Sequence, residues 1–328
     1  MEKKRFLKKF ETKSNYESQK DLIMNKNHIV LINETQNIIF DGMEFEPTFP
    51  SNPSIPSEPS EPSNPSIPSE PEVDYSKEYF TIEFIEDGRF QLDYSLSGSG
   101  STVVEYSLNN STWVKLTPGM DGEFFTNAGD TVQLRAISDY LGGNGDFSPF
   151  GNIEGKYNVK GNIMSLLYAE DFEGKTDLSS MKPFIYLFNK CVNLVNAKDL
   201  VLPAVILSEE SYYSMFRDCT SLTTAPELPA TTLAQRCYNS MFQGCTSLTT
   251  APELPATTLA TYCYYYMFNG CSQLNYIKML ATNISASSCL YNWVNGVASN
   301  GTFVKNANMT TLPSGTSGIP NGWTIENA

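Results

Sequence analysis

The chain has 328 residues, 41% hydrophobic and 18% charged, which allows several domains with buried cores and excludes a disordered or membrane-embedded chain. Its net charge of −14 is uneven: residues 1–27 hold eight Lys and Arg against four acids, leaving −18 for the remainder. An acidic body has no basic groove for phosphates, and no apolar run reaches the roughly 20 residues of a membrane span, so neither nucleic-acid binding nor membrane insertion is expected.

Behind the basic residues of the opening stretch MEKKRFLKKFETKSNYESQKDLI there is no apolar core of a secretory signal, so no signal peptide and no export by the usual route are expected. Lys3, Lys4, Arg5, Lys8 and Lys9 are the candidate anchor residues, a basic peptide suited to an acidic partner surface. Ser14 followed by Glu17 is a capping-box pattern, which predicts a helix from Ser14 to Ile23. The runs IVLI and NIIF flanking NETQ then predict a small hairpin within an opening module of residues 1–46. His28, the single histidine, is expected at a strand edge, and its isolation leaves little scope for Ser-His-Asp, Cys-His or His-metal chemistry.

Residues 47–74 are a linker. Proline recurs at 50, 53, 56, 59, 62, 65, 68 and 71, and this three-residue period matches the turn of polyproline II. A stiff spacer of about 70 Å follows from its rise of roughly 3.1 Å per residue.

Residues 75–162 read as an all-β domain. TIEFI and RFQLDY flank Asp87-Gly88, a hairpin signal, and VVEYSL, WVKLT, EFFTN, TVQLRAI and YNVKGN follow. Seven short strands with turns between them predict an immunoglobulin-like β-sandwich with Trp113 as core anchor. The loop LGGNGDFSPFGN (141–152) has the composition of a flexible turn, with calcium as the other possibility.

From 163 to 296 the chain is periodic, and CTSLTTAPELPATTLA occurs twice without a change. Cys219, Cys245 and Cys271 are 26 residues apart, with Cys191 a further 28 before them; Cys237, Cys263 and Cys289 form a second row, with Ser211 in the slot before. Leu194, Leu222, Leu248 and Leu274 form a row, as do Leu202, Leu228, Leu254 and Leu280, and Phe188, Phe216, Phe242 and Phe268 end in Val294. Such a period with leucine and cysteine rows predicts a leucine-rich-repeat solenoid, in which like residues stack on like. Cys237, Met241 and Cys245 at i, i+4 and i+8 predict a helical face within each rung. The tail 297–328, with TFVK and GWTIE, is expected to form a β cap. The whole is thus a multidomain α+β chain: N-terminal anchor, polyproline II linker, Ig-like β-sandwich, leucine-rich-repeat solenoid and cap.

No catalytic residue, metal site or cofactor is expected. The repeat offers the cysteines no histidine base and no CxxC spacing, and seven cysteines without a secretion signal do not describe a disulfide framework. Buried thiols are the expectation. Glu227 and Glu253 occupy equivalent rung positions, not a converging pair of glycosidase carboxylates. Tyr213, Asn239, Tyr265 and Tyr266 vary while the core rows stay fixed, which makes them the candidate ligand-binding residues; covering the helix edge is the other use for them. Tyrosine combines flat apolar area with a polar tip, and this suits sugar or protein recognition.

The rows MF-x-x-C-x-x-L and CTSLTTAPELPATTL resemble the bacterial surface leucine-rich repeats termed BspA-like, over about residues 180–296. Through KKFETKSNYESQKDLIM (8–24), the layout resembles fibre proteins of tailed phages of gut Bacteroidales. The resemblance implies a non-enzymatic virion surface protein, a head or decoration fibre, with capsid or other virion proteins as partners of its N-terminus. It implies a host surface glycan or protein as partner of the repeats, and a homotrimer. A tail-fibre receptor-binding protein and a bacterial cell-surface adhesin are the alternatives.

Overall fold

A computed structural model describes residues 22–25, 28–31, 73–92, 103–116, 123–145 and 147–328. The chain divides into two compact units, residues 1–68 and 69–328. In the first, strands β1 (Leu22–Asn25) and β2 (His28–Leu31) pair antiparallel, Leu22 opposite Leu31 and Asn25 opposite His28. Leu22 and Ile23 therefore belong to a strand rather than to the expected helix. The apolar run HIVL takes LIMN as its partner across a short polar break. The capping box, NIIF, the basic anchor residues Lys3, Lys4, Arg5, Lys8 and Lys9, and the linker up to residue 72 lie outside the described residues.

The second unit is rich in β-structure, with short strands in mixed sheets. Among the described residues its one α-helix is the four-residue Ser165–Tyr168, so the α component expected from the sequence is nearly absent. All seven segments read as strands are strands: β3 (Phe80–Phe84), β4 (Gly88–Gln91), β5 (Val103–Leu108), β6 (Val114–Leu116), β7 (Glu123–Thr126), β8 (Thr131–Ile137) and β9 (Tyr157–Asn162). Alternation sets the core: Phe80, Ile82 and Phe84 point inward with Val132, Leu134, Tyr157 and Val159, and Phe90 comes from β4.

The connections differ from expectation. Asp87-Gly88 does not close a hairpin, since β3 pairs with β8 and β9 while β4 pairs with β7. The dipeptide carries the chain from one sheet to the other, and Gly88 is needed for close approach: a Cβ there would lie 2.0 Å from the Glu154 carbonyl oxygen. The larger sheet runs β9-β3-β8-β5-β6, so the first strand of the domain sits between the last two. Immunoglobulin connectivity pairs those last two directly. Trp113 is not the core anchor; half-buried, it packs edge-on against Tyr79 at 4.9 Å, and the Arg135 guanidinium lies 4.2 Å from its ring centre.

No break in the core falls at 162/163. Strand β9 pairs parallel with β10 (Leu194–Asn196) and β11 (Leu200–Val201), which joins the sheet to the first rung of the periodic region. The loop at 141–150 reinforces the junction. Its Gly143 amide donates to the Ile185 carbonyl (2.7 Å), the Ser148 hydroxyl to that of Leu187 (2.5 Å), and Phe150 stacks on Phe188.

The expected helical face is instead a ribbon of linked turns. The amides of Asn239, Met241, Gln243 and Cys245 bond three residues back, to Arg236, Tyr238, Ser240 and Phe242. The intervening amides of Tyr238, Ser240, Phe242 and Gly244 donate to Cys263, Tyr265, Met267 and Asn269 of the next rung. Every amide in the segment thus finds a partner without a helix. Positive φ recurs every four residues, at Arg236, Ser240 and Gly244 and again at Tyr262, Tyr266 and Gly270, always at the third position of an outward turn as in type II geometry. A left-handed backbone costs roughly 1–2 kcal/mol at a non-glycine residue, and the inter-rung ladder offsets that strain.

Because the repeat inside a rung is four, residues point inward in adjacent pairs: Cys237 and Tyr238, then Met241 and Phe242. Two aromatic columns result. Phe188, Phe216, Phe242 and Phe268 stack at 5.2–5.7 Å with interplanar angles of 15° or less. Phe184, Tyr212, Tyr238 and Tyr264 stack at 5.8–6.2 Å in a second column that the sequence reading did not identify. Trp293 closes both, 6.3 Å from Tyr264 and 6.1 Å from Phe268, and its indole N–H donates to the Gly318 carbonyl at 2.9 Å. In the second leucine row the last place belongs to buried Met279, which bridges to Leu254, while Leu280 is only half-buried.

The tail continues the stack. β12 (Tyr276–Met279), β13 (Thr302–Lys305) and β14 (Thr324–Asn327) pair parallel in register, Tyr276 beside Thr302 and Thr302 beside Thr324. TFVK and TIEN are therefore two more rungs, not a separate cap.

Candidate functional site

The turn ribbon has two sides. Cysteines, methionines and the stacked aromatics face in; between them Tyr213, Tyr265 and Tyr266 are half-buried on the other side, while Ser214, Asn239 and Ser240 are buried. All seven cysteines are free and buried. The thiols of Cys219, Cys245 and Cys271 donate to the carbonyls of Phe188, Phe216 and Phe242, one rung back, at 2.9–3.0 Å. Burial raises Cys191 to about 11 and Cys237 and Cys271 to about 12, and it lifts Cys219 and Cys245 well above the ordinary thiol value. These thiols stay protonated at neutral pH and are poor nucleophiles and poor metal ligands. Among the described residues no group of three or more His, Cys, Asp or Glu is arranged to hold a metal ion.

The outward pairs form columns that inter-rung bonds fix in place. Tyr186 donates its amide to Tyr213, Ser214 to Asn239, Ser240 to Tyr265 and Tyr266 to Tyr291, so Tyr186, Ser214, Ser240, Tyr266 and Asn292 form one column and Ile185, Tyr213, Asn239, Tyr265 and Tyr291 the one beside it. Three of the four expected ligand-binding residues, Tyr213, Tyr265 and Tyr266, are half-buried on this face. Asn239 is not: it is 6% exposed and accepts a bond from the Ser240 hydroxyl at 2.8 Å. Its place between two taller tyrosine rungs accounts for its burial, so sequence variation there did not mark an exposed position.

The tyrosines fall into two groups. At the far end Tyr265 stacks on Tyr291 at 5.1 Å (16°), and Tyr266 stands edge-on to Tyr265 at 4.5 Å (90°). Tyr262 meets Tyr265 at 5.4 Å. At the near end Tyr186 and Tyr213 pack edge to face at 5.3 Å. Burial, then Tyr213, pushes Tyr186 up to about 12, and burial, then Tyr266, raises Tyr265. Both phenols are therefore neutral hydrogen-bonding groups at neutral pH.

Beside the near group lies an open depression of about 410 Å³ lined by Ile185, Tyr186, Glu210, Tyr213 and Arg236. Arg236 lies 3.6 Å from the Glu210 carboxylate and 5.3 Å from the Tyr262 ring centre. Lys182 reaches Glu209 at 2.8 Å and Glu210 at 3.6 Å, so two cations balance two carboxylates along this rim. The hydrogen bond from Lys182, ahead of its charge and that of Arg236, holds Glu209 below the usual carboxylate range. Ile185, Tyr186, Glu210 and Arg236 were absent from the sequence-based candidates. The signal was present in the two positions before each second-row residue, which read Glu209-Glu210, Gln235-Arg236, Thr261-Tyr262 and Ser287-Ser288.

No family model, no curated protein and no solved structure matches this chain.

Proposed function

We propose that this is a non-enzymatic adhesion protein displayed on a phage virion, a head or decoration fibre, with a leucine-rich-repeat solenoid of the BspA-like kind as its binding element. Residues 1–46 dock on the capsid, the proline-rich linker projects outward, and the unit formed by residues 69–328 carries the binding face. The observation that carries this reading is the separation of roles across the turn ribbon. Neutral, inward thiols build a scaffold, while the outward columns concentrate six tyrosines, at 186, 213, 262, 265, 266 and 291, on one face. Tyrosine and tryptophan carry a disproportionate share of recognition energy at protein surfaces. The virion setting rests on the likeness of residues 8–24 to phage fibre proteins, and the trimer on the symmetry common to fibres.

The test is the composition of purified particles of a phage that encodes this chain. The full-length protein should co-purify with intact virions, and a chain lacking residues 1–46 should fold but stay in the soluble fraction. Assembly of the truncated chain onto particles would sink the anchoring role. Finding the full chain only on bacterial surfaces would replace the virion setting with that of a cell-surface adhesin.

A further inference from the structure

The depression between the paired tyrosines and the Glu210–Arg236 ion pair has a chemistry that goes beyond adhesion in general. We propose that it is a binding subsite for a neutral hexose unit of a surface glycan, an inference that rests on the adhesion reading above.

A hexose presents two kinds of surface, a weakly apolar face of C–H bonds and a rim of hydroxyls. The Tyr186 and Tyr213 rings, held edge to face at 5.3 Å, give a rigid aromatic wall, with Ile185 completing its apolar part. Aromatic walls of this kind bury area at low conformational entropy, since a tyrosine has two side-chain torsions to fix. Across the depression, Glu210 supplies carboxylate oxygens that accept and Arg236 a planar guanidinium that donates, 3.6 Å apart. An acceptor pair beside a donor fork matches adjacent sugar hydroxyls, each of which both donates and accepts.

Size and charge narrow the class. About 410 Å³ lies in the lower part of the range for small-molecule sites, large enough for a hexose ring and short of a long-chain binding cleft. The rim is electrically balanced, because Lys182 and Arg236 face Glu209 and Glu210. A sialylated or uronic polymer would find no net positive charge here, and a polycation no net negative charge. The ion pairs also hold the recognition groups in place before a ligand arrives, which lowers the ordering cost of binding. The site exists once along the stack, since the equivalent of Glu210 is Arg236 in the next rung, Tyr262 in the one after and Ser288 in the last.

The experiment uses the full-length protein and a panel of neutral methyl hexosides and short hexose oligosaccharides, titrated calorimetrically, with a sialylated and a uronic oligosaccharide for comparison. At least one neutral sugar should bind with little dependence on salt. Tyr213→Ala and Glu210→Gln should each weaken that binding about tenfold or more, a free-energy change of about 1.4 kcal/mol, while Tyr213→Phe should retain most of it. Phe125→Ala, at an exposed position of β7 outside the turn ribbon, should leave it unchanged, and thermal melting would confirm that each variant is folded. Sugar binding that ignores Tyr213→Ala and Glu210→Gln, or preference for the acidic oligosaccharides, would overturn the proposal. Adhesion to host cells that survives both variants would overturn this site while leaving the adhesion reading intact. Absence of any adhesion by the wild-type chain, to cells or sugars, would remove both.

Discussion

The Cys245 thiol donates to the Phe216 carbonyl at 3.0 Å, one rung back, and that same oxygen already accepts the Cys219 amide at 3.2 Å. Both lone pairs of a buried carbonyl are thereby used, one within the rung and one between rungs. Cysteine at this position is a hydrogen-bond donor small enough for the core, and this explains a row of thiols with no partner for redox or metal chemistry. Cys245→Ala removes the donor and leaves a small void, which should lower unfolding free energy by about 1–3 kcal/mol. Cys245→Ser keeps a donor and should lose less. Urea unfolding of both variants checks the order, and an alanine variant as stable as wild type would remove the role assigned to the thiol.

Alkaline pH should destabilise the stack. Unfolded thiols ionise near pH 9, whereas burial holds Cys191 to about 11 and Cys237 and Cys271 to about 12. Between those limits the unfolded chain has lost protons that the folded chain keeps, so stability falls as pH rises above about 9, by up to about 1.4 kcal/mol per pH unit for each thiol. The buried tyrosines at 212, 238 and 264 are raised by burial and act in the same direction above their ordinary value of about 10. Melting temperature measured from pH 7 to 11 should be flat at first and then fall. A rise above pH 9 would contradict the neutral, buried assignment.

Phe242 sits mid-column, 5.5 Å from Phe216 and 5.7 Å from Phe268, and is fully buried. Phe242→Ala should cost about 3–5 kcal/mol, whereas truncation of a fully exposed aromatic should cost little. Phe125, 85% exposed on β7, is the matched control. Denaturant unfolding of the pair measures the difference.

The turn ribbon makes an opposite pair of predictions at its left-handed positions. Gly270 has φ +78°, and a Cβ there would make ordinary van der Waals contact with the Gly244 backbone at 3.7 Å, so Gly270→Ala should cost about 1 kcal/mol from backbone strain. Ser240 has φ +55° without being glycine, so Ser240→Gly relieves strain and should be far better tolerated than its burial implies. If both changes were equally destabilising by chemical unfolding, the positive-φ account of the ribbon would be wrong.

Much of this architecture was legible in the sequence, and the misses share a physical origin. The seven strands of the β-rich region follow from two-residue alternation, and the Phe, Leu and Cys rows from the 26-residue period, because both patterns are written directly in side-chain hydrophobicity. The pairing of those strands is not: Asp87-Gly88 has hairpin chemistry, yet the close approach of Glu154 uses it as a crossing between sheets. The rung segment was misread as a helix because spacing of four resembles 3.6 over one or two turns. Over Cys237, Met241 and Cys245 the spacing is a strict four, with Tyr238 and Phe242 each following an inward residue, and a helix would have rotated away from that register. Hydrogen bonds to the next rung decide the conformation, and those are tertiary contacts. Variation in the repeats marked Tyr213, Tyr265 and Tyr266, which are half-buried on the outward side, and also Asn239, which is buried; the position of Glu210 and Arg236 beside Tyr213 depends on rung-to-rung placement that no local pattern encodes.

The central claim is that the inward thiols hold the stack together while the outward tyrosines do its work. Adhesion of labelled full-length protein to host cells tests it most directly, with wild type compared with a Tyr213→Ala/Tyr265→Ala double variant and with Cys245→Ala. The account predicts that the double variant melts like wild type yet loses adhesion, and that Cys245→Ala melts earlier yet adheres normally below its melting temperature. A double variant that adheres as well as wild type would contradict it.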